Sequence, residues 1–504
     1  MCGHASGKTA VAPKQADDEH MLDLIPPALV LAGSAVVVVA AAVAAVHAAL
    51  YKDEVRAAIG WVAVIILVPL VGSLLYYLIG INRIRRRAVA LRRERERMMV
   101  PLPPGWLQPA EVKEILGGSA DASAVANLVE KVTSLPLLGG NRVRPLLNGD
   151  EAYPAMLDSI AGARQSISLT TYIFDSDVWG RRFVDALSAA RARGVEVRVL
   201  IDAVGARYSR PPVIRLLQGR GIQAELFLPP RFSTLLFPSF NLRNHRKVMV
   251  VDGCVGFTGG MNIREGFVLA ESPAYPGIDL HFQVEGPVVR HLQEIFAEDW
   301  EFTTAESLWG PEWFPRLSPV GSSIARGIAD GPDDDLDVLT FTLLGALASA
   351  RRSIRIVTPY FLPDLPLVYA LNAAALGGLE VDIVVPEEGN LRLVNWAMRG
   401  QIPQVLRHGC RVWLSPAAPF DHSKIAVMDD YWTLFGSTNW DPRSLKLNFE
   451  LNVECYDREL ARRMNELVDS KIARSRRLTL EEVENRGFAL RLRDGAARLL
   501  TPYL

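Results

Sequence analysis

Residues 245–262 read HRKVMVVDGCVGFTGGMN, and residues 422–439 repeat the same pattern as HSKIAVMDDYWTLFGSTN. Both segments match H-x-K-x4-D-x6-G-[GS]-x-N with identical spacing. A single His-x-Lys is usually a surface pair, but six fixed positions that recur twice at one spacing are far beyond chance. The duplication therefore predicts one chemical device that is built from two copies of a motif.

Each copy also has the pattern of a β-hairpin. An apolar run, a turn signal at the Asp and a second apolar run follow each histidine. Side chains two residues apart lie on the same face of a strand, so His245 and Lys247 are predicted to project together. The same spacing places His422 beside Lys424 in the second copy.

These residue types suit phosphoryl-group transfer. An imidazole beside an ammonium, with an Asn amide nearby, suits an oxyanion such as a phosphate. A site built from both copies would bring two His, two Lys, Asn262 and Asn439 around one phosphorus. One imidazole would attack to form a phosphohistidine, and the other would protonate the leaving alcohol and then deprotonate the incoming one. Because the lysines neutralise charge and no metal-type cluster of Asp and Glu accompanies the motifs, we expect no metal and no cofactor.

The motif aspartates Asp252 and Asp429 complete the candidate catalytic set with the histidines and lysines. Their position at a hairpin turn is typical of a residue that forms the turn. A structural role is therefore the favoured interpretation, and a catalytic role is the alternative.

The paired motifs resemble those of the phospholipase D superfamily, and their surroundings resemble bacterial cardiolipin synthases. The resemblance covers roughly residues 20–504 and rests on residues 241–247 (NLRNHRK), 358–364 (TPYFLPD) and 439–450 (NWDPRSLKLNFE). It implies transfer of a phosphatidyl group between two phosphatidylglycerol molecules with release of glycerol. It also implies that His245 is the nucleophile and His422 the acid/base, an assignment that the symmetrical spacing does not make.

Two carboxylates beyond the motifs, Asp279 and Glu450, open strand-like stretches. Proteins similar to this one use an acid in this place to hold the catalytic imidazole. A carboxylate on Nδ1 would fix the tautomer and stabilise the imidazolium, whereas the alternative is an ordinary charge at a strand edge. Whether each acid serves the histidine of its own half or of the other half stays open.

A longer repeat surrounds the motifs. Residues 163–167 and 194–197 are echoed by residues 350–354 and 378–381, and each half reads helix, strand, helix, strand, hairpin. This order predicts an α/β fold of two phospholipase-D-like α/β/α sandwich halves about a pseudo-twofold, with the active site at their seam. We assign the first half to 141–325, the second half to 326–485 and a C-terminal amphipathic segment to 486–504.

Two apolar stretches near the N-terminus predict two transmembrane helices. Residues 24–50 and 57–81 contain no Asp, Glu, Lys or Arg, and each exceeds the roughly 20 residues that cross a bilayer. We assign 1–23 to a tail and 24–81 to the helix pair. A signal peptide fits poorly because acidic residues precede the first stretch, and a buried pair of globular helices is the alternative.

Charge predicts the orientation of these helices. Residues 82–140, assigned to a basic juxtamembrane segment and linker, begin with a cluster of Arg83, Arg85, Arg86, Arg87, Arg92, Arg93, Arg95 and Arg97. The positive-inside rule predicts that the catalytic body faces the cytoplasm. With two predicted spans and the resemblance to bacterial enzymes, we expect a multi-pass protein of the bacterial inner membrane. The same arginines also suit anionic lipid head groups.

Composition limits the partners. A formal net charge of -1 gives no electrostatic case for nucleic acid. The apolar stretches predict the phospholipid membrane as a partner, and the family resemblance implies phosphatidylglycerol as the substrate. The four cysteines lack paired or metal-type spacing and fit a reducing compartment: Cys2, Cys254, Cys410 and Cys455. Residues 226–240 and 488–504 either touch the bilayer or pack on the body. Oligomeric state is not predicted.

Two other functions stay open at this point. A phospholipase D hydrolase would share the covalent intermediate and resolve it with water to give phosphatidic acid. A membrane lipid-binding protein with an inactive site would need neither motif intact. The acceptor alcohol depends on the shape of the pocket, which spacing does not reveal.

Overall fold

The structure describes most of the predicted membrane segment and most of the two predicted catalytic halves. The computed structural model describes residues 27–52, 55–80, 106–107, 109–115, 120–133, 135–229, 242–332 and 337–501. The predicted tail 1–23, the arginine cluster at 83–97 and most of the apolar segment 226–240 lie outside these residues. Contacts divide the chain into two compact units, residues 1–82 with 236–238 and residues 83–235 with 239–504.

The first unit contains one long apolar helix, α1 (Pro27–Tyr51). Within the described residues, Ala28–Tyr51 is the one helix that is long and apolar enough to cross a membrane, by length and composition. This helix agrees with the first predicted span.

The second predicted span, 57–81, is not one continuous helix. It is divided into α2 (Val55–Leu67), α3 (Pro69–Leu75) and a π-helix (Tyr76–Gly80). Val68 leaves the helical conformation, with φ -135° and ψ 74°, because Pro69 sterically disfavours a helical residue before it. Tyr76 nevertheless packs with Ala48 of α1, and its hydroxyl lies 2.8 Å from His47 Nδ1. The apolar segment is therefore a bent helix that packs on α1, and a second span stays a prediction.

The second unit alternates strands and helices, as the repeat predicts. Its strands are β1 (Trp106–Leu107), β2 (Leu137–Leu147), β3 (Ser166–Thr171), β4 (Glu196–Asp202), β5 (Gln223–Phe227), β6 (Arg243–Asn244), β7 (Val248–Val251), β8 (Val255–Gly259), β9 (Gly277–Ile278), β10 (Leu280–Glu285), β11 (Ser323–Asp330), β12 (Ser353–Val357), β13 (Glu380–Pro386), β14 (Arg411–Ser415), β15 (Phe420–Asp421), β16 (Ile425–Met428), β17 (Trp432–Gly436), β18 (Asn448–Tyr456) and β19 (Arg476–Leu478). Its α-helices are α4 (Pro109–Ile115), α5 (Ala120–Thr133), α6 (Asn148–Gly162), α7 (Val178–Ala192), α8 (Val213–Gly219), α9 (Val289–Thr304), α10 (Val338–Ser349), α11 (Leu365–Leu376), α12 (Arg392–Gln401), α13 (Pro403–Leu406), α14 (Pro442–Lys446), α15 (Arg458–Ala473), α16 (Leu480–Glu484) and α17 (Phe488–Leu499). Short 3-10 helices lie at Gly205–Tyr208, Glu265–Phe267 and Leu269–Glu271.

The two halves have the same strand order. The first half runs β5-β4-β3-β7-β8-β10-β2, and the second runs β14-β13-β12-β16-β17-β18-β11. In each half the first three strands are parallel and the others antiparallel, and pairing of β2 with β11 joins the halves. The predicted duplicated α/β fold is therefore confirmed.

Helices cover both faces of each half-sheet. One buried cluster includes Tyr153 of α6 and Phe183 of α7 on the outer face of the first half, and a second includes Leu343 of α10 on the outer face of the second. A third cluster joins the halves, where Phe282 of β10 stacks on Phe435 of β17 with ring centroids 3.8 Å apart. Stacking across this seam holds the two sheets face to face.

Two peripheral segments are more structured than the sequence indicates. The predicted linker 82–140 contains α4 and α5, whose Val112, Val125 and Val129 are buried in the cluster of the second half. At the C-terminus, α17 packs on α12 and buries Ala497, while Phe488 stays 81% exposed. An apolar stripe along each of these helices explains why they dock on the body.

Candidate active site

Each motif forms the predicted hairpin, and each histidine lies where its chain crosses to the other half. In the hairpins, β7 pairs with β8 and β16 pairs with β17, both antiparallel. The N–H of His245 donates to Phe449 O at 2.9 Å, next to the β6–β18 pairing, and the N–H of His422 donates to Ile278 O at 2.7 Å, next to the β15–β9 pairing. Backbone bonds from the opposite half therefore fix both histidines.

The two orienting carboxylates are exchanged between the halves. His245 Nδ1 lies 3.0 Å from both carboxylate oxygens of Glu450, and His422 Nδ1 lies 2.7 Å from Asp279 Oδ2. A carboxylate only accepts hydrogen bonds, so Nδ1 carries the hydrogen and Nε2 keeps its lone pair for chemistry. The question that spacing left open has a clear answer: each acid contacts the histidine of the other half.

Different neighbours hold the two acids. Glu450 accepts from the Ser437 hydroxyl and, at 3.1 Å, from Asn448 Nδ2. Burial raises the pKa of Glu450, but contact with His245, the charge of Lys247 and the hydrogen bond from Ser437 together outweigh burial and hold the pKa below its ordinary value. On the other side, a Cβ at Gly260 would overlap Asp279 Oδ1. At the Gly-or-Ser position of the motif, Gly260 therefore leaves room for the carboxylate of Asp279, whereas Ser437 donates a hydrogen bond to Glu450.

Both motif lysines are buried in the same cluster of charges. Lys247 Nζ donates to His245 O at 2.6 Å, and Lys424 Nζ donates to His422 O. Burial lowers the pKa of Lys247 to about 7, with a further lowering from Lys424, while Glu450 acts in the opposite direction. Burial likewise lowers the pKa of Lys424 to about 8. Nearby carboxylates only partly offset the effect of burial on the two ammonium groups, so a bound anion would stabilise their charged forms.

The imidazoles share this environment. Only 11% of the His245 side chain and 12% of the His422 side chain is exposed. Burial lowers the pKa of His245, and burial together with the Lys424 charge lowers the pKa of His422 to about 4. Both rings are consequently neutral at neutral pH in the empty site, as a nucleophile requires.

The motif asparagines line the same cavity. Asn262 Oδ1 accepts from the Ile173 N–H at 3.0 Å, which turns its amide donor to the other side. Asn439 Nδ2 lies 3.2 Å from Ser444 Oγ, and its buried Oδ1 has no hydrogen-bond partner among the described residues. Each amide is held in place by its own half of the chain.

The motif aspartates lie away from the imidazoles, at the opposite ends of β7 and β16. Asp252 accepts from the N–H groups of residues 164–166 at 2.7 to 3.1 Å, and Asp429 accepts from those of residues 351–353. Both have a positive φ, 51° and 54°. These contacts tie the hairpin turn to the start of β3 or β12, so the grouping of these aspartates with the catalytic residues is not supported by their positions.

A cavity of about 870 Å³ brings the site residues together. Both histidines and both asparagines line it, as do side chains to which the sequence analysis assigned no role: Tyr172, Tyr208, Arg243, Arg264, Tyr360, Asp441 and Arg443. The Tyr172 ring lies edge-on to His245 at 5.3 Å. A signal for Tyr172 and Tyr360 existed, because each follows the first parallel strand of its half, Tyr172 directly after Thr171 and Tyr360 two residues after Thr358. Those threonines donate to the carbonyl two residues on, both at 3.1 Å.

Comparison with known proteins agrees with this geometry. The family model "Cardiolipin synthase, PLD-like domain" matches residues 156–300 and 343–472, and the model "Phospholipase D-nuclease N-terminal" matches residues 39–80. Cardiolipin synthase A of Pseudomonas entomophila is 30% identical over 462 residues, which cover 92% of this chain and 96% of that protein. The major cardiolipin synthase ClsA of Bacillus subtilis is 29% identical over 459 residues, which cover 90% and 95%.

A solved structure has the same fold. The phosphatidylserine synthase of Haemophilus influenzae matches with a TM-score of 0.58 at 14% identity, over 75% of this chain and 100% of that protein. Its low identity limits the likeness to the fold. The family models and the relatives extend over both catalytic halves and the N-terminal apolar region. The chain belongs to the cardiolipin synthase family of phospholipase-D-like proteins.

Proposed function

We propose that this protein makes cardiolipin from two phosphatidylglycerol molecules and releases glycerol. The observation that carries the proposal is the pair of imidazoles in one cavity, each held through Nδ1 by a buried carboxylate of the opposite half. Two imidazoles with free Nε2 atoms can serve one phosphorus, one as nucleophile and one as proton carrier. The cardiolipin synthases of Pseudomonas and Bacillus that the chain resembles support this choice of substrate.

In the first step, His245 Nε2 attacks the phosphorus of the donor lipid. A P–N bond forms, the P–O bond to the glycerol head group breaks, and His422 protonates the departing oxygen. The resulting phosphatidyl-imidazolium is cationic, and the Glu450 carboxylate at 3.0 Å stabilises it. The two imidazoles have similar geometry, which does not distinguish their roles. The family resemblance supports His245 as the nucleophile.

We expect His422 to take up its proton when the substrate binds. In the empty site the pKa of His422 is lowered to about 4, by burial and by Lys424. A phosphodiester brings negative charge next to the ring and to both ammonium groups, and this charge raises their pKa values. Binding of the anion therefore favours the protonated form of His422 that the first step needs.

In the second step, His422 removes the proton from the terminal hydroxyl of a second phosphatidylglycerol. That oxygen attacks the phosphorus, the P–N bond breaks, and cardiolipin forms while His245 is regenerated. Lys247 and Lys424, with Asn262 and Asn439, would bind the non-bridging oxygens through both steps. We assign Asp252 and Asp429 to hairpin closure and not to the chemistry, because both accept backbone N–H groups.

The described residues contain one helix, Ala28–Tyr51, that is long and apolar enough to cross a membrane. We propose that 24–81 crosses the bacterial inner membrane twice and that the catalytic body faces the cytoplasm, where the positive-inside rule places the arginines after residue 82. Labelling of a single engineered cysteine at Val178, which is 53% exposed, with a membrane-impermeant maleimide tests this orientation. Cys2 is changed to Ser, as is Cys254, the one exposed native cysteine among the described residues; labelling is then expected in inverted vesicles and absent in intact spheroplasts.

The deciding experiment is the lipid product profile of the purified, detergent-solubilised protein given labelled phosphatidylglycerol without added metal. Cardiolipin with free glycerol supports the proposal. Phosphatidic acid alone would indicate a hydrolase, and no turnover would indicate a lipid-binding protein. His245→Ala and His422→Ala should each abolish cardiolipin formation, and product formed by either variant would contradict the two-histidine mechanism.

A further inference from the structure

A pair of arginines, one from each half, lines the cavity beside the histidine site. Arg243 is two residues before His245 in an extended segment: its Cα is in register with Asn448 of β18, and the His245 N–H bonds to Phe449 O. Residues two apart in an extended chain share a face and lie about 7 Å apart. Arg243 and His245 therefore lie on the same face of the segment, with their Cα atoms roughly 7 Å apart. Both side chains line the cavity.

Arg443 approaches the same place from the second half. It lies in α14, whose first turn is fixed by Asp441, which accepts from the Ser444 N–H at 2.8 Å. Arg443 and Arg243 line the same cavity, and burial and the charge of Arg243 both lower the pKa of Arg443. Both arginines also act on Tyr172, whose ring touches His245. The chain thus concentrates two like charges on the nucleophile side of the cavity.

Each substrate lipid carries one phosphodiester, so the second step must hold two phosphates at once. One is the phosphoryl group on His245, next to the two lysines. The other belongs to the acceptor phosphatidylglycerol, and only the three carbons of its glycerol separate it from the attacking hydroxyl. A guanidinium binds such an oxyanion through two parallel hydrogen bonds.

We propose that Arg243 and Arg443 form a second phosphate subsite, which binds the phosphodiester of the acceptor lipid while its terminal hydroxyl reaches the phosphohistidine. This inference rests on the proposed function. It explains acceptor choice, because water and simple alcohols reach the same phosphohistidine but have no phosphate for the arginine pair.

Competition between a charged and a neutral acceptor tests the subsite. The full-length protein is given labelled phosphatidylglycerol in mixed micelles at a fixed concentration of ethanol, and cardiolipin and phosphatidylethanol are measured together. Arg243→Gln and Arg443→Gln should each lower the ratio of cardiolipin to phosphatidylethanol on the order of tenfold, because each removes a charge-assisted contact that only the lipid acceptor makes. The double variant should lower it further.

Arg264→Gln is the matched control. Arg264 also lines the cavity, but its guanidinium pairs with Asp175 at 3.1 Å, so the product ratio should stay at the wild-type value. Lysine at position 243 or 443 keeps the charge and should give an intermediate ratio, which keeps the test informative where a Gln variant does not fold. An unchanged ratio, or equal loss of both products, would overturn the subsite. Absence of cardiolipin from the wild-type protein would instead contradict the proposed function.

Discussion

The exchange of carboxylates between the halves makes a prediction about Glu450→Gln and Asp279→Asn. Each variant should impair the histidine of the opposite half and leave that of its own half working. An imidazolium and a carboxylate with charge centres about 4 Å apart attract by about 4 kcal/mol at an effective dielectric constant of about 20. Loss of the carboxylate should therefore slow the step that makes its histidine cationic on the order of 1000-fold. The amide keeps the size of the side chain, so packing changes little.

A lipid ester with p-nitrophenol as its head group separates the two histidines. This leaving group departs as an anion near neutral pH and needs no proton, so its release reports only attack by the nucleophile. Asp279→Asn should keep a rapid burst of about one p-nitrophenol per enzyme, followed by slow turnover, as His422→Ala should. Glu450→Gln should lose the burst, as His245→Ala should.

The histidine variants make the comparison independent of which imidazole is the nucleophile. If the burst is lost in Asp279→Asn and kept in Glu450→Gln while His245→Ala lacks it, each acid serves its own half and the reasoning fails. Thermal unfolding of each variant serves as the control for folding, since a burst is meaningful only in protein with the wild-type melting temperature.

Three further predictions follow from the same contacts. Binding of glycerophosphoglycerol, a soluble phosphodiester, should take up protons near neutral pH, because the anion raises the lowered pKa values of Lys247, about 7, and His422, about 4. Calorimetry in buffers of different ionisation enthalpy measures this uptake. Equal binding heats in all buffers would contradict the prediction. Gly260→Ala should reduce cardiolipin synthesis at least about tenfold with little change in melting temperature, since its methyl group displaces the orienting Asp279; wild-type activity would show that the contact is unimportant. Arg326→Met should lower the free energy of unfolding by about 3 to 5 kcal/mol in denaturant titrations, because it leaves the fully buried carboxylate of Glu454, 2.6 Å away, without its cationic partner. A change below about 1 kcal/mol would refute this.

The sequence predicts the parts of this protein that depend on local spacing. The paired motifs and the longer repeat were enough for the two hairpins and the duplicated α/β fold, since a hairpin is determined by residues close together in the chain. Pro69 is a local signal as well, and its steric effect on Val68 explains why the second apolar stretch is bent. Length and hydropathy alone predicted one helix there.

Contacts between distant residues could not be predicted in this way. Glu450 and His245 are 205 residues apart, and Asp279 and His422 are 143 apart. Which acid meets which imidazole depends on the short pairings β6–β18 and β15–β9, in which two residues of one half align with two of the other. Two-residue strands leave no periodic pattern, so the exchange becomes visible only when the halves are assembled.

The same exchange explains how a duplicated motif can divide its work. If each half held its own acid and histidine, each half-site could change without the other. Here Glu450, held by Ser437 and Asn448, supports the imidazole of the first half, while Asp279, shorter by one methylene and packed against Gly260, supports that of the second. The two imidazoles thus meet different carboxylates in different surroundings, and their pKa values can be set separately. A reaction that needs one imidazole as nucleophile and the other as proton carrier can use that difference, and both halves must be assembled at the seam before either imidazole has its acid.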